Sequence, residues 1–330
     1  MPSLSTQITS VSPLKAVEGG RVTVHGADFP TDDLPAVSIG GHVARVAFAS
    51  SRRLVIVMPA GLDSGPAPLR IDDVGTDVAT IVVGGEWATG LHQVDNPVFD
   101  THGNLFVTYS GSRGQEAPVS IFRVTRTGTR EPFASGIVNA TSLAIGPDGQ
   151  LYVSSRFEGA VYRVGADGTH EQVVSDLGVA CGIAFDAEGT MYVGDRSGTV
   201  FRVRDGRATA FATLPASVAA FHVAMSPEGE LFVAAPTLGS YDHVYRITRD
   251  GDVRALPVPF GRPQGLAFSP DGQLHVVDAL AGSSAVYRFT NPDAQPDVVA
   301  TGSGLVGLAF GPGGELVLVS NDTAYRFDRS

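Results

Sequence analysis

The stretch SPDGQLHVVDALAGSSAVYRF, from Ser269 to Phe289, decides the fold because the chain repeats it. The same arrangement begins again at Gly146 (GPDGQLYVSSRFEGAVYRV), Asp186 (DAEGTMYVGDRSGTVFRV) and Ser226 (SPEGELFVAAPTLGSYDHVYRI). In each copy an apolar residue follows the turn glycine by two positions, and an aromatic-Arg-apolar triplet comes later. Six copies align on Gly103, Gly149, Gly189, Gly229, Gly272 and Gly314, at gaps of 46, 40, 40, 43 and 42 residues.

This period, filled with short alternating strands, predicts a β-propeller with one four-stranded blade per repeat. Within a repeat, Pro270-Asp271-Gly272 suits a tight turn between the first and second strands, because Pro fixes φ and Gly accepts positive φ. The segment from Glu86 matches the last-strand segment from Glu131, and the final copy stops after its third strand. We therefore expect an N-terminal strand to complete the last blade and close a six-bladed ring, which hides the sheet edges.

Composition restricts the function classes. The chain of 330 residues is 43% hydrophobic with a net charge of −11, so we expect a globular protein that does not bind nucleic acid. No apolar run is long enough to span a membrane, and a single cysteine, Cys181, excludes an internal disulfide. The N-terminal stretch lacks the basic start and apolar core of a signal peptide. The compartment stays open between the cytoplasm and, for a trimmed chain, secretion or the cell envelope.

The first 84 residues do not share the repeat. Their short alternating strands, separated by Gly and Pro turns, predict a small β-sandwich. The sequence ITSVSP…EGGRVTVHGADFP…VSIGGHVARV…LVIVMPAG resembles an IPT/TIG domain, which has an immunoglobulin-like fold. The resemblance implies a non-catalytic spacer or interaction module. We therefore expect an all-β protein with a sandwich at residues 1–84, packed closely against a propeller at residues 85–330.

The ends of the inner strands provide the candidate binding site. In a propeller the first strands start and the second strands end around one mouth of the central axis, where polar residues line a funnel. These positions vary while the scaffold repeats, which is typical of a site grafted on a fold. The predicted funnel residues are Asp95, Asn96, Tyr109, Thr141, Ser155, Arg156, Cys181, Asp195, Arg196, Phe221, His222, Gln264, Asp278 and Asn321.

The propeller half resembles the NHL-repeat and gluconolactonase/senescence-marker-like proteins, through RPQGLAFSPDGQLHVVDA in the fifth repeat. The resemblance implies one divalent cation, such as Ca²⁺, held by acidic and asparagine side chains. Asp95, Asp195 and Asp278 are the metal ligands that match the pattern. The asparagine of the family's PNG motif is Gln264 here, so the constellation is incomplete. Aspartates that fix turns or pair with neighbouring arginines are the structural alternative.

Two functions remain open at this stage. The first is a module that binds a small molecule, peptide or glycan in its funnel, positioned by the IPT/TIG domain. The second is a metal-dependent lactone or ester hydrolase, with an acidic funnel around a cation. Asp278 and His222 are the candidate catalytic residues. The alternative for His222 is a structural role as a hydrogen-bonded core histidine. The resemblance also implies a bacterial secreted or envelope protein.

Overall fold

The computed structural model describes residues 6–72, 74, 77–219 and 221–328. Every regular element in these residues is a β-strand, which confirms the predicted all-β class. No helix in the described ranges is long and apolar enough to cross a membrane. The chain folds into an N-terminal sandwich followed by a propeller.

The sandwich is built from alternating strands. It contains β1 (Gln7–Ser12), β2 (Lys15–Ala16), β3 (Arg21–Ala27), β4 (Val37–Ile39), β5 (His42–Ser50), β6 (Arg53–Val57), β7 (Gly65–Ile71) and β8 (Asp77–Val83). β3 shows the reason for the fold, because Val22 and Val24 are fully buried while Arg21 and His25 face solvent. The core is apolar and includes Leu54, Ile56 and Leu69.

The propeller has five separate four-stranded sheets. Four of them follow chain order: β10 (Val98–Phe99), β11 (Leu105–Thr108), β12 (Ile121–Val124) and β13 (Arg130–Ala134); β14 (Ala140–Ile145), β15 (Leu151–Ser155), β16 (Ala160–Val164) and β17 (His170–Val174); β18 (Ala180–Phe185), β19 (Met191–Asp195), β20 (Thr199–Arg204) and β21 (Arg207–Thr213); β22 (His222–Met225), β23 (Leu231–Ala234), β24 (Asp242–Ile247) and β25 (Val253–Phe260). The fifth comprises β30 (Leu305–Phe310), β31 (Leu316–Ser320), β32 (Ala324–Phe327) and β9 (Gly85–Ala88).

The blade count differs from the prediction: five self-contained blades are present, not six. The strands of the fifth repeat are β26 (Pro263–Phe268), β27 (Leu274–Asp278), β28 (Ala285–Phe289) and β29 (Asp297–Thr301). They have the same antiparallel order, but they belong to a twelve-stranded sheet that continues into the sandwich. The cause is β2, which pairs in parallel with β8 on one side and with β29 on the other, through Ala16 and Thr301.

The ring is closed by the N-terminal strand of the propeller, as the repeat predicts. β9 pairs antiparallel with β32, the last strand of the chain, and Ala88 lies opposite Ala324. The innermost strands β10, β14, β18, β22, β26 and β30 contact one another in that order around the axis. The end of the chain is thus held by residues near 85, which removes an exposed sheet edge.

The inner strands approach so closely that a glycine is required in three of them. A Cβ on Gly182 would collide with the carbonyl oxygen of Phe221, which immediately precedes the next inner strand. Gly265 and Gly307 occupy the same repeat position, and a Cβ on either would collide with Asn96. The repeated Gly-apolar-Ala-Phe sequence is therefore a consequence of crowding at the axis.

The sandwich and the propeller share an apolar junction. Val17 is fully buried and packs in one cluster with Val277 and Val286 of the propeller. Its backbone N–H donates to the carbonyl of Thr301 at 2.9 Å, and the Thr301 hydroxyl accepts from the N–H of Arg21 at 3.0 Å. Because one sheet runs through both parts, the division at residues 84 and 85 stays a prediction.

Candidate functional site

A buried His–Asp pair spans the propeller axis. His222 begins β22 and Asp95 lies just before β10, and these two inner strands are opposite each other in the ring. The imidazole Nδ1 is 2.5 Å from Oδ1 of Asp95, and both residues are almost completely buried. Since a carboxylate only accepts, Nδ1 is the donor. Nε2 of His222 has no partner among the described residues.

This pair occupies the crowded glycine level of the ring. His222 stands at the repeat position that holds Gly182, Gly265 and Gly307 in other copies. The His222–Asp95 hydrogen bond links opposite sides of the ring, and we call it the cross-axis tie. It lies below the funnel, because neither residue lines the cavity at the mouth.

Asn96 is also engaged in holding the ring. Its Nδ2 donates to the carbonyl of Leu266 at 2.7 Å, and its Oδ1 accepts from the N–H of Leu308 at 3.0 Å. The side chain therefore bridges two neighbouring inner strands, β26 and β30. Its amide has no polar atom left over for strong binding of a ligand at this point.

Asp195 and Asp278 occupy the same position in their repeats and form the same kind of hydrogen bond. Oδ1 of Asp195 accepts from the N–H of Val179 at 2.8 Å, and Oδ1 of Asp278 accepts from the N–H of Arg262 at 2.6 Å. Val179 and Arg262 each immediately precede an inner strand. These carboxylates therefore fix the loop that enters the inner strand, which is a structural role set by the repeat.

The three predicted metal ligands are not brought together. Asp95 is held by His222, whereas Asp195 and Asp278 are held by backbone amides of their own repeats. Within the described ranges, no group of three or more His, Cys, Asp or Glu side chains is placed to hold a metal ion. These separated carboxylates do not fit a Ca²⁺ site, which needs six to eight oxygens around one point.

A cavity of about 250 Å³ lies at the mouth of the axis. Five of the predicted funnel residues line it: Arg156, Cys181, Arg196, Gln264 and Asn321. The remaining lining comes from Gln93, Val94, Val218, Ala219 and Val306. A lining that combines polar and apolar side chains is typical of a small-molecule site.

A second cavity of about 640 Å³ adjoins the first and shares Arg156 and Arg196 with it. Its other lining residues include Arg113, Asn139 and Phe157. No aspartate or glutamate lines either cavity in the described part of the chain. The aspartates at the strand ends accept hydrogen bonds from backbone amides, and arginines line the opening.

Two titratable groups beside the mouth are held in their neutral forms. Burial raises the pKa of the Cys181 thiol to about 11, and its Sγ donates to the carbonyl of Val179 at 3.3 Å. Burial, with the nearby charge of Arg156, lowers the pKa of His92, whose Nδ1 accepts from the N–H of Gly111. A protonated thiol of this kind is a poor nucleophile.

Four predicted funnel residues lie in the walls. Phe221 is fully buried in an apolar cluster, and Tyr109 packs edge-on against Phe122 with ring centroids 6.1 Å apart. The Thr141 hydroxyl donates to the carbonyl of Asn139 at 2.8 Å, and the Ser155 hydroxyl donates to the carbonyl of Val138 at 2.5 Å. These residues shape the mouth without lining the cavities.

Several lining residues were not among the predicted funnel residues, and Gln93 and Arg113 are two polar examples. Gln93 lies two positions before the predicted strand start, and its amide is used inside the wall, donating to the carbonyl of Asp95 at 2.6 Å. Arg113 sits in the connection between β11 and β12. That connection is longer than the corresponding one in the second repeat, between β15 and β16, and the extra length was the available signal.

Comparison with known proteins supports the two-part architecture. Residues 6–85 match the family model of the IPT/TIG domain. No curated protein sequence matches the chain. The solved structures compared below are 13–18% identical to this chain, so they show the fold alone.

Three of these structures indicate the range of proteins with this fold. An auxiliary nutrient binding protein from Bacteroides thetaiotaomicron aligns with 99% of this chain and 98% of its own, at 13% identity and a TM-score of 0.58. Virginiamycin B lyase from Staphylococcus aureus aligns over 98% and 94%, at 13% identity and a TM-score of 0.53. A candidate gluconolactonase aligns over 73% and 90%, at 18% identity and a TM-score of 0.58.

Proposed function

We propose that this protein binds a small molecule, or the end of a peptide or glycan, in the cavity at the inner-strand mouth of the propeller. The observation that carries the proposal is the cavity itself, where five polar side chains from four repeats converge: Arg156, Cys181, Arg196, Gln264 and Asn321. The amide of Gln264 has no hydrogen-bond partner among the residues described, so it is available to a ligand.

The names of the similar structures agree with this class of function without defining it. One group is described as nutrient-binding and another as of gluconolactonase type. We propose that residues 85–330 form the binding domain and that residues 1–84 position it. The twelve-stranded sheet through the junction would hold the two in a fixed orientation.

The metal-dependent hydrolase is the weaker candidate. It requires carboxylates gathered around one cation, whereas Asp195 and Asp278 are committed to loop amides. The high pKa of the Cys181 thiol likewise disfavours covalent catalysis at neutral pH. Binding without turnover is therefore the function that we propose.

A fragment screen by ligand-observed NMR tests the proposal. The library should contain neutral, anionic and cationic fragments, and each hit should be repeated on Val306→Trp, whose indole would fill the mouth. A thermal melt checks that the variant is folded. Hits that vanish in Val306→Trp support the proposal. A screen whose hits all persist in that variant, or one without hits, overturns it.

A further inference from the structure

Three arginines converge where the two cavities meet. Arg156 and Arg196 line both cavities, and Arg113 lines the larger one. They come from three successive repeats, following β11, β15 and β19. The protein as a whole carries a net charge of −11, so this positive group stands against the overall charge.

The three guanidinium groups lack the partners that other arginines have. On the outer strands, Arg123 pairs with Glu131 at 2.7 Å and Arg288 pairs with Asp297 at 3.2 Å. Among the described residues, no carboxylate pairs with Arg113, Arg156 or Arg196. Arg196 donates from Nε to the carbonyl of Ser217 at 3.2 Å, which orients the rest of its guanidinium.

The charge of Arg156 is not compensated by any partner among the described residues. Arg156 is half-buried, and its guanidinium makes no hydrogen bond to any residue that the structure describes. Burial lowers the pKa of Arg156; Cys181 opposes this shift, and the charges of Arg196 and Arg113 add to it. Because a guanidinium stays protonated in proteins, the shift expresses the free energy of holding an unpaired cation there.

The loop that carries Arg113 is held in place. Asn139 donates from Nδ2 to the carbonyls of Ser110 and Ser112, at 2.6 and 2.9 Å, and its Oδ1 accepts from the N–H of Gly114 at 2.7 Å. Asn139 itself adopts a left-handed backbone with φ of 51°. The loop is therefore fixed before any ligand arrives, which lowers the entropy lost on binding.

We propose that Arg113, Arg156 and Arg196 hold the oxyanion group of the ligand: a carboxylate, sulfate or phosphate on a small molecule. This inference rests on the proposed function and names the chemical class of its ligand. Planar guanidinium groups match such oxyanions through paired N–H donors. The half-exposed ring of Phe157 on the same wall offers an apolar surface for the body of the ligand.

Calorimetry with matched probes tests the inference. The anionic probes are sulfate, inorganic phosphate, citrate, glucuronate, glucose 6-sulfate and glucose 6-phosphate, and glucose is the neutral match for the sugar acids and esters. We expect at least one anion to bind at least tenfold more tightly than glucose, with affinity that falls as salt rises. We expect Arg156→Gln and Arg196→Gln each to weaken it about tenfold or more, since charged hydrogen bonds are lost. Arg123→Gln, on an outer strand, is the matched control and should stay within twofold of the wild type.

The outcomes separate this inference from the proposed function. Anion binding that is lost in Arg156→Gln and in Arg196→Gln supports the inference, and the sulfate, phosphate and carboxylate arms identify the oxyanion. Equal affinity for glucose and the anions, no binding by any anion, or anion affinity unchanged in both arginine variants overturns it. If neutral fragments no longer bind to Val306→Trp but bind to Arg156→Gln as tightly as to the wild type, the inference fails while the proposed function stands.

Discussion

Polar side chains lie at two levels of the propeller axis, and they are paired at one level and unpaired at the other. At the glycine level, His222 and Asp95 are buried and hydrogen-bonded to each other. At the mouth, Arg156 and Arg196 line a cavity that no carboxylate of the described residues lines. A buried polar group that is paired within the protein acts as a structural tie, whereas a cation left unpaired at an opening is available to a ligand.

The largest effect should come from breaking the cross-axis tie. Replacing Asp95 by Ala leaves His222 buried without its acceptor, and losing one partner of a buried pair lowers the free energy of unfolding by about 3–5 kcal/mol. Urea unfolding measures the change. Glu131→Ala, which removes the exposed partner of Arg123, is the matched control and should change stability little. Equal losses in the two variants would contradict the contrast between the levels.

A second buried histidine, His275, differs from His222 because no carboxylate of the described residues is hydrogen-bonded to it. Burial lowers the pKa of His275 to about 4, and its Nδ1 donates to the carbonyl of Gln273 at 3.1 Å. The nearby charges oppose one another: Arg288 and Lys15 lower this pKa further, and Asp271 raises it. The folded protein therefore holds His275 neutral over a pH range in which the unfolded chain would protonate it.

The sign of the pH dependence follows from that shift. The contribution of neutral His275 to the free energy of unfolding is fully present above about pH 6.5. It is lost as the pH falls from 6.5 to 4, by about 3 kcal/mol in total. Urea unfolding at a series of pH values measures this slope. In His275→Phe, which restores the aromatic residue seen at this repeat position in Phe232, the slope should flatten. An unchanged slope in the variant would assign the dependence to other groups.

Loop aspartates should have an intermediate effect. Asp278→Ala removes the acceptor of the Gly261 and Arg262 amides, at 3.1 and 2.6 Å, and unpaired amides of this kind lower the free energy of unfolding by about 1–3 kcal/mol. Asp195→Ala should behave alike because it occupies the same repeat position. Wild-type melting curves in Ca²⁺ and in EDTA should coincide. A melt that Ca²⁺ raises, with the increase lost in Asp278→Ala, would instead revive the metal site.

The mouth arginine should have the smallest effect on stability. Arg156→Gln removes a half-buried cation that forms no ion pair within the described residues, so the free energy of unfolding should not fall and should rise by no more than about 0.5 kcal/mol. Urea unfolding in a buffer without multivalent anions measures this. A loss of several kcal/mol would show that Arg156 supports the fold, and the contrast with Asp95 would fail.

Much of the site geometry lay beyond the reach of the sequence. The repeat predicts where Asp195, Asp278 and Arg156 fall along their strands, but it does not say which side chain turns inward. Asp195 and Asp278 bind the amides of entering loops, and the arginines therefore face the mouth. The direction of a side chain at a strand end depends on the neighbouring loop, and that neighbour is fixed only when the blades assemble.

The sequence by itself determined the all-β class, the propeller, its closure by an N-terminal strand and the small N-terminal sandwich, because turn chemistry and strand alternation are local. The IPT/TIG assignment of the sandwich came from a sequence resemblance. Tertiary structure alone decided three things: the joining of the fifth repeat to the sandwich through β2, the tie from His222 to Asp95, and the arginine-lined mouth. Each of these depends on residues distant in the chain that meet only when the ring closes. A local sequence pattern does not predict such long-range contacts, since their free energy comes from burial and pairing between distant residues.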